Sequence, residues 1–70
     1  MGLSTIAPNN YQIQLAYNGS NLEYVGYAER SVLTSEQGWI VFYLQYSGSD
    51  LISKKTGGGA WDNRAALTYA

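Results

Sequence analysis

Between Tyr11 and Tyr17 the chain alternates without a break, with Tyr11, Ile13, Leu15 and Tyr17 on one side and Gln12, Gln14 and Ala16 on the other. That is the period-two pattern of a half-buried strand; an amphipathic helix would repeat its apolar residues every three to four positions. Asn18-Gly19 follows at once, and this pair is a strong hairpin signal because both residues tolerate positive φ. Leu22 to Ala28 supplies the returning strand, where Leu22, Tyr24 and Ala28 alternate with Glu23, Val25 and Tyr27. Gly26 in its middle marks a bulge or a close backbone approach.

The polar stretch Glu29 to Gly38 reads as a loop. Thr34-Ser35-Glu36-Gln37 fits a capping box, but Gly38 stops any helix after one turn. Trp39 to Tyr46 is apolar on both faces and rich in aromatic and β-branched residues. Such a segment is a central strand covered on two sides, or covered on one side and held to a partner by the other. Ser47-Gly48-Ser49-Asp50 turns the chain into a weaker fourth strand, Leu51 to Thr56. Lys54 and Lys55 suit an edge there, because charge discourages stray pairing. Gly57-Gly58-Gly59 reads as a hinge or wide turn, and Ala65 to Tyr69 as a fifth strand with Ala65, Leu67 and Tyr69 inward. No segment of ten or more residues carries helical periodicity. The expected fold is therefore all-β: a small antiparallel meander of about five strands forming a barrel or a sandwich. Residues 11–70 form a single small β domain, preceded by an extended N-terminal arm over residues 1–10 that is apolar enough at Leu3 and Ile6 to dock on a neighbour.

Size and composition narrow the chemistry. A chain of 70 residues hides only roughly 60% of the surface its unfolded form exposes, so it needs reinforcement. There is no Cys and no His, which removes disulfides, thiolate ligands, the commonest metal ligand and the commonest general base. Partners are the route left. Charged residues make up 13% of the chain, about half the ~25% usual in soluble domains. The net charge of −1 provides no field for nucleic acid or anionic lipid. Seven Tyr and two Trp point toward interfaces, where both rings are favoured.

The first residues lack the basic start and apolar run of a secretory signal. The longest apolar run, Trp39 to Leu44, is too short to cross a bilayer. Asn18-Gly19-Ser20 matches a glycosylation sequon but reads as a turn.

Candidate catalytic groups do not assemble into a reaction. Glu23, Glu29, Glu36, Asp50 and Asp62 show no pairing of the kind glycoside hydrolysis requires. Ser53 and Lys54 are strand neighbours whose side chains point to opposite faces. Gly57-Gly58-Gly59 after Lys54-Lys55 reverses the order of a phosphate-binding loop, and no helix follows. Small aromatic-rich barrels that stack nucleobases need a basic surround, which four Lys/Arg against five acids do not supply. Aromatic platforms flanked by Asn and Gln also suit sugars, so a small carbohydrate-binding module is the alternative role. Trp61-Asp62-Asn63-Arg64 is either a turn whose Trp plugs the core or an interface anchor. No catalytic residue, cofactor or metal ligand is expected. Leu3, Ile6, Trp39, Phe42, Tyr43 and Arg64 are the interface candidates.

One longer pattern remains. Tyr24-Val25-Gly26-Tyr27-Ala28, Thr34-Ser35, Trp39-Ile40, Tyr46, a Gly-bearing turn, and Trp61-Asp62-Asn63-Arg64-Ala65 with Leu67 and Tyr69 together resemble short β proteins encoded by tailed bacteriophages. Those carry Y-I-G-Y-A, T-S, a W-x-I strand and a closing W-D-x-R-x-x-L-x-Y. The likeness spans residues 22–70; in those proteins the strand after W-x-I is often basic, whereas Val41-Phe42-Tyr43 is apolar. The resemblance implies a phage-encoded virion component with no catalytic residues. The expected role is a non-enzymatic structural or accessory protein, such as a capsid decoration, neck or tail part. It would be made in the host cytoplasm, located in the virion, and packed as a homo-oligomer against other virion proteins.

Overall fold

The computed structural model describes residues 11–70. The expected arm over residues 1–10, with Leu3 and Ile6, lies outside them. The fold is all-β: one open antiparallel sheet of four strands in the order β1-β2-β3-β4, which among the described residues closes into neither the expected barrel nor the expected sandwich. The strands are β1 (Tyr11–Asn18), β2 (Asn21–Glu29), β3 (Trp39–Ser47) and β4 (Asp50–Gly59). A short 3-10 segment, η1 (Trp61–Ala66), follows.

Both hairpins close on a two-residue Gly-Ser loop. Asn18 pairs with Asn21 around Gly19-Ser20, and Ser47 with Asp50 around Gly48-Ser49. Gly19 and Gly48 have φ of 64° and 63°, and no non-glycine residue among those described has positive φ. Positive φ confined to the first loop position is the signature of a type II′ turn, whose twist matches that of the flanking strands. The turn expected at Asn18-Gly19 thus sits one residue later, with Asn18 closing the ladder.

Residues 30–38 form the expected loop. Leu33 N–H donates to Glu36 Oε1 at 2.8 Å, and Glu36 N–H returns a bond to the Leu33 carbonyl at 3.0 Å. This is one turn and no more.

Two expectations are corrected in the C-terminal third. Gly57-Gly58-Gly59 is not a hinge: the three pair with Val41, Ile40 and Trp39 as the end of β4. Ala65 to Tyr69 is not a fifth strand. Ala65 and Ala66 end η1, and the chain then runs extended until Ala70 exchanges two backbone hydrogen bonds with Thr56, at 3.0 and 3.1 Å. The glycines and the tail explain one another. A Cβ on Gly57 would stand 2.8 Å from the Thr68 carbonyl oxygen, and one on Gly59 2.5 Å from Leu67 Cδ2. Only a strand without side chains lets this tail lie on it.

The core occupies one face of the sheet. Trp39 (1% exposed), Val41 (0%), Ala28 and Trp61 form it, with Ala16, Tyr24, Val32, Leu67 and Tyr69 packed around. Trp39 and Trp61 meet with ring centroids 5.9 Å apart, and Trp39 Nε1–H donates to the Leu33 carbonyl at 3.0 Å. Gly26 is the floor beneath them. A Cβ there would lie 2.5 Å from Trp61 Cε3 and 3.1 Å from Trp39 Cε3, so the expected close approach is made by a ring, not a backbone.

Candidate functional site

Paired residues in a sheet point to the same face, and the register therefore assigns every strand residue a side. On the packed side, Gln14 pairs with Gly26, Gly26 with Val41 and Val41 with Gly57. Gln12 is on this side too. Its Nε2 donates to the carbonyls of Glu29 and Val32 at 2.9 and 2.6 Å, tying the loop down over the sheet.

The opposite side is apolar from edge to edge. One row reads Ile13, Tyr27, Ile40, Gly58, and the next Leu15, Val25, Phe42, Thr56. No charged side chain interrupts either row. Tyr27 meets Phe42 edge to face with centroids 5.8 Å apart. Tyr11 and Tyr17 extend the surface along β1, and Leu44 along β3. Lys54, paired with Leu44, bends its ammonium back to 5.0 Å from the Phe42 ring centroid. Ile13 and Ile40 are each 54% exposed, Leu15 49% and Tyr17 61%.

The half-buried character of β1 thus holds, but its covered half is the Gln12, Gln14 and Ala16 side. The reason lies in the covering elements. The loop and the C-terminal segment together carry Val32, Trp61, Leu67 and Tyr69, and all four pack with the core on that same side. Nothing among the described residues reaches the other.

The interface candidates separate accordingly. Trp39 belongs to the core, which takes it off the surface. Phe42 is in the apolar rows. Tyr43 lies on the packed side, stacked on Tyr24 at 5.0 Å and near Tyr69 at 5.5 Å. Arg64 is half-buried: its guanidinium covers Trp61 at 4.6 Å from the ring centroid, and Nη1 donates to the Trp61 carbonyl at 3.3 Å. The residues missed as candidates are Ile13, Leu15, Val25, Tyr27 and Ile40. The signal for three of them was present in the β1 alternation and the two-sided β3.

A polar cluster flanks the packed side. Tyr69 O–H donates to the Arg64 carbonyl at 2.6 Å. Burial first, and then neighbouring acidic groups, Glu23 for Tyr24 and the Tyr24 phenol for Tyr69, push both phenols above their ordinary value, while Arg64 opposes the shift.

A further concavity opens where β2 and β3 part. Their pairing covers only Tyr24–Tyr27 with Ile40–Tyr43. Beyond it a cleft of about 290 Å³ is lined by residues including Asn18, Asn21, Tyr43, Gln45 and Tyr46. Asn21 Nδ2 bridges its mouth to the Gly48 carbonyl at 2.9 Å.

The β1 edge completes the picture. Tyr11 to Asn18 holds no Lys, Arg, Asp, Glu or Pro, the residues that usually protect an edge strand from pairing. No protein-family model, curated protein or solved structure matches the chain.

Proposed function

We propose that this chain is a non-enzymatic bacteriophage virion protein, a decoration, neck or tail component that works by packing against other protein. The observation that carries the packing role is the uncharged double row across all four strands. Soluble monomers rarely leave so continuous an apolar surface in water, and such surfaces mark interaction sites. The phage setting rests on the residue pattern from Tyr24 to Tyr69. Low charge supports it further, because hydroxyls and amides at the margins cost less to bury than ions. Mass spectrometry of purified virions tests the proposal. The protein should be present in particles; its absence there, while abundant in infected cells, overturns the reading.

The rival role is a small carbohydrate-binding module, and the cleft between β2 and β3 is where it would operate. Tyr43 and Tyr46 are its rings, and Asn18, Asn21 and Gln45 its amides. Both tryptophans are buried and give it no platform. Calorimetric titration with a glycan panel separates the two: saturable binding abolished by Tyr46→Ala favours the sugar module.

A further inference from the structure

We propose that the apolar face is closed by a second copy of this chain, packed face to face, so that a β-sandwich forms between copies and not within one. The proposal rests on the assembly reading only in taking that face to be an interface.

Three occupants compete for the face: the ten residues preceding Tyr11, an unrelated protein, or a second copy. Ten residues reach about 33–36 Å when fully extended, but as a single strand they are one strand wide. The face is four strands wide, about 19 Å at ~4.8 Å per strand. Laid along the strands, one segment would cover about a quarter of that width, and laid across them it would cover a band ~4.8 Å wide, less than the ~6.6 Å between the two rows. A second copy presents a surface of the same width and the same apolar chemistry, and sheets stacked this way lie ~10 Å apart with side chains interleaved.

The distribution of side-chain volume favours self-packing. The largest side chains, Tyr27 and Phe42, sit on the central strands, and the two edges are unequal, with Ile13 and Leu15 on β1 against the small Gly58 and Thr56 on β4. A two-fold axis lying in the interface parallel to the strands sets β1 of one copy over β4 of the other. Ile13 and Leu15 then fill the space above the partner's Gly58 and Thr56, and the central Tyr27 and Val25 face the partner's Ile40 and Phe42. The bulky edge of each copy is thereby matched to the small edge of the other, the self-complementarity that an isologous interface requires. Charge is confined to the margins once Lys54 swings its ammonium off the Phe42 ring, with Glu29 one row out beside Tyr11. Lys54 comes to the Tyr17 end of the partner's β1, and the two copies of Lys54 stay on opposite edges. At one strand length, about 26 Å for the eight residues of β1, by four strand widths, each copy contributes on the order of 500 Å², and the pair reaches the ~1,000 Å² that a specific interface needs.

Sedimentation equilibrium on the full chain and on Ile40→Lys provides the test. Wild type should be a dimer. By symmetry the substitution places two ammonium groups in the apolar layer, and the dissociation constant should rise at least about 100-fold. The near-ultraviolet circular dichroism of Trp39 and Trp61 reports folding from the opposite face and should be unchanged. Should Ile40→Lys fail to fold, Ile13→Lys on the edge strand takes its place. Because the chain has no Cys, Ile13→Cys combined with Gly58→Cys gives a pair on facing sheets ~10 Å apart, too far for a direct disulfide, which a short bis-maleimide should link into a covalent dimer far more readily than it links Ile13→Cys alone. A wild type that stays monomeric at high concentration overturns the proposal, as does a dimer indifferent to both lysine substitutions, which would place the contact at the β1 edge. A monomer that is nonetheless found in virions ends the face-to-face dimer but leaves the virion role standing.

Discussion

Gly26→Ala is the smallest change that tests how this core is built. The added methyl would stand 2.5 and 2.7 Å from Cε3 and Cζ3 of Trp61, and 3.1 Å from Cε3 of Trp39. Carbon atoms in good contact sit ~3.5–4.0 Å apart, so the Trp61 ring must retreat by about 1 Å or leave. Retreat opens the Trp39–Trp61 contact on which the small core depends. Forcing a methylene into a packed site costs about 1–3 kcal/mol, and losing a buried Trp outright costs about 3–5. Against this, Ala gains up to about 1 kcal/mol over Gly in an extended strand. A net loss of about 1–3 kcal/mol is expected. It is large for a chain whose whole stability, at ~0.05–0.15 kcal/mol per residue, is about 4–10 kcal/mol. The melting temperature should fall by about 5–20 °C, at ~4–8 °C per kcal/mol. Melts followed by near-ultraviolet circular dichroism, at one fixed protein concentration because assembly adds to apparent stability, measure it. Trp61→Phe removes the atoms that the methyl strikes. In that background Gly26→Ala should cost less than half as much, the coupling expected of residues in contact. A Gly26→Ala protein as stable as wild type, or a cost unchanged by Trp61→Phe, would refute this account of the core.

Two further outcomes follow from the same packing. In the Ile40→Lys background, which keeps assembly out of the reading, Gly59→Ala should cost about 1–3 kcal/mol, because φ is 150° and the Cβ meets Leu67. Gly58→Ala, whose Cβ finds nothing nearer than 3.7 Å, should stay within ~0.5 kcal/mol, and equal costs in thermal melts would break the argument. Ultraviolet difference titration should show that Tyr24 and Tyr69 ionise above the ordinary phenol range. A raised folded-state value means that the folded chain holds these protons more tightly than the unfolded one. The stability they confer is therefore complete below pH ~10 and lost as pH rises through the folded values. Arg64→Ala should move both phenols higher still, since Arg64 opposes the shift; a downward move would contradict the geometry.

Local pattern was enough to locate the strands. Alternation in Tyr11 to Tyr17, the unbroken apolar run from Trp39, and Gly-bearing turns between them depend only on residues near in sequence, as does the hairpin connectivity that makes the sheet a meander. Gly26 as a site of close approach and Trp61 as a core plug were each one of two readings the sequence offered, the others being a bulge and an interface anchor, and packing chose between them. The three glycines after Thr56 were not. Glycine marks permissiveness, and whether that serves a hinge or a seat for another segment depends on whether something lies on it. Here the tail does, through Leu67, Thr68 and Tyr69. The fifth strand failed for a related reason: Ala65, Leu67 and Tyr69 alternate well enough for a strand, but a 3-10 turn from Trp61 consumes Ala65 and Ala66 and leaves only Ala70 to pair with Thr56. What sequence could not settle at all is which face of the sheet is inside. Period two divides each strand into two sides, and on β1 the more apolar side is the exposed one. The choice is made where the loop and the C-terminal segment come to rest, by a Trp pair that needs the bare backbone of Gly26, Gly57 and Gly59 beneath it and its neighbours. Those glycines all lie on the Gln14 side, so tertiary packing buries that side and leaves Ile13, Leu15, Ile40 and Phe42 facing outward.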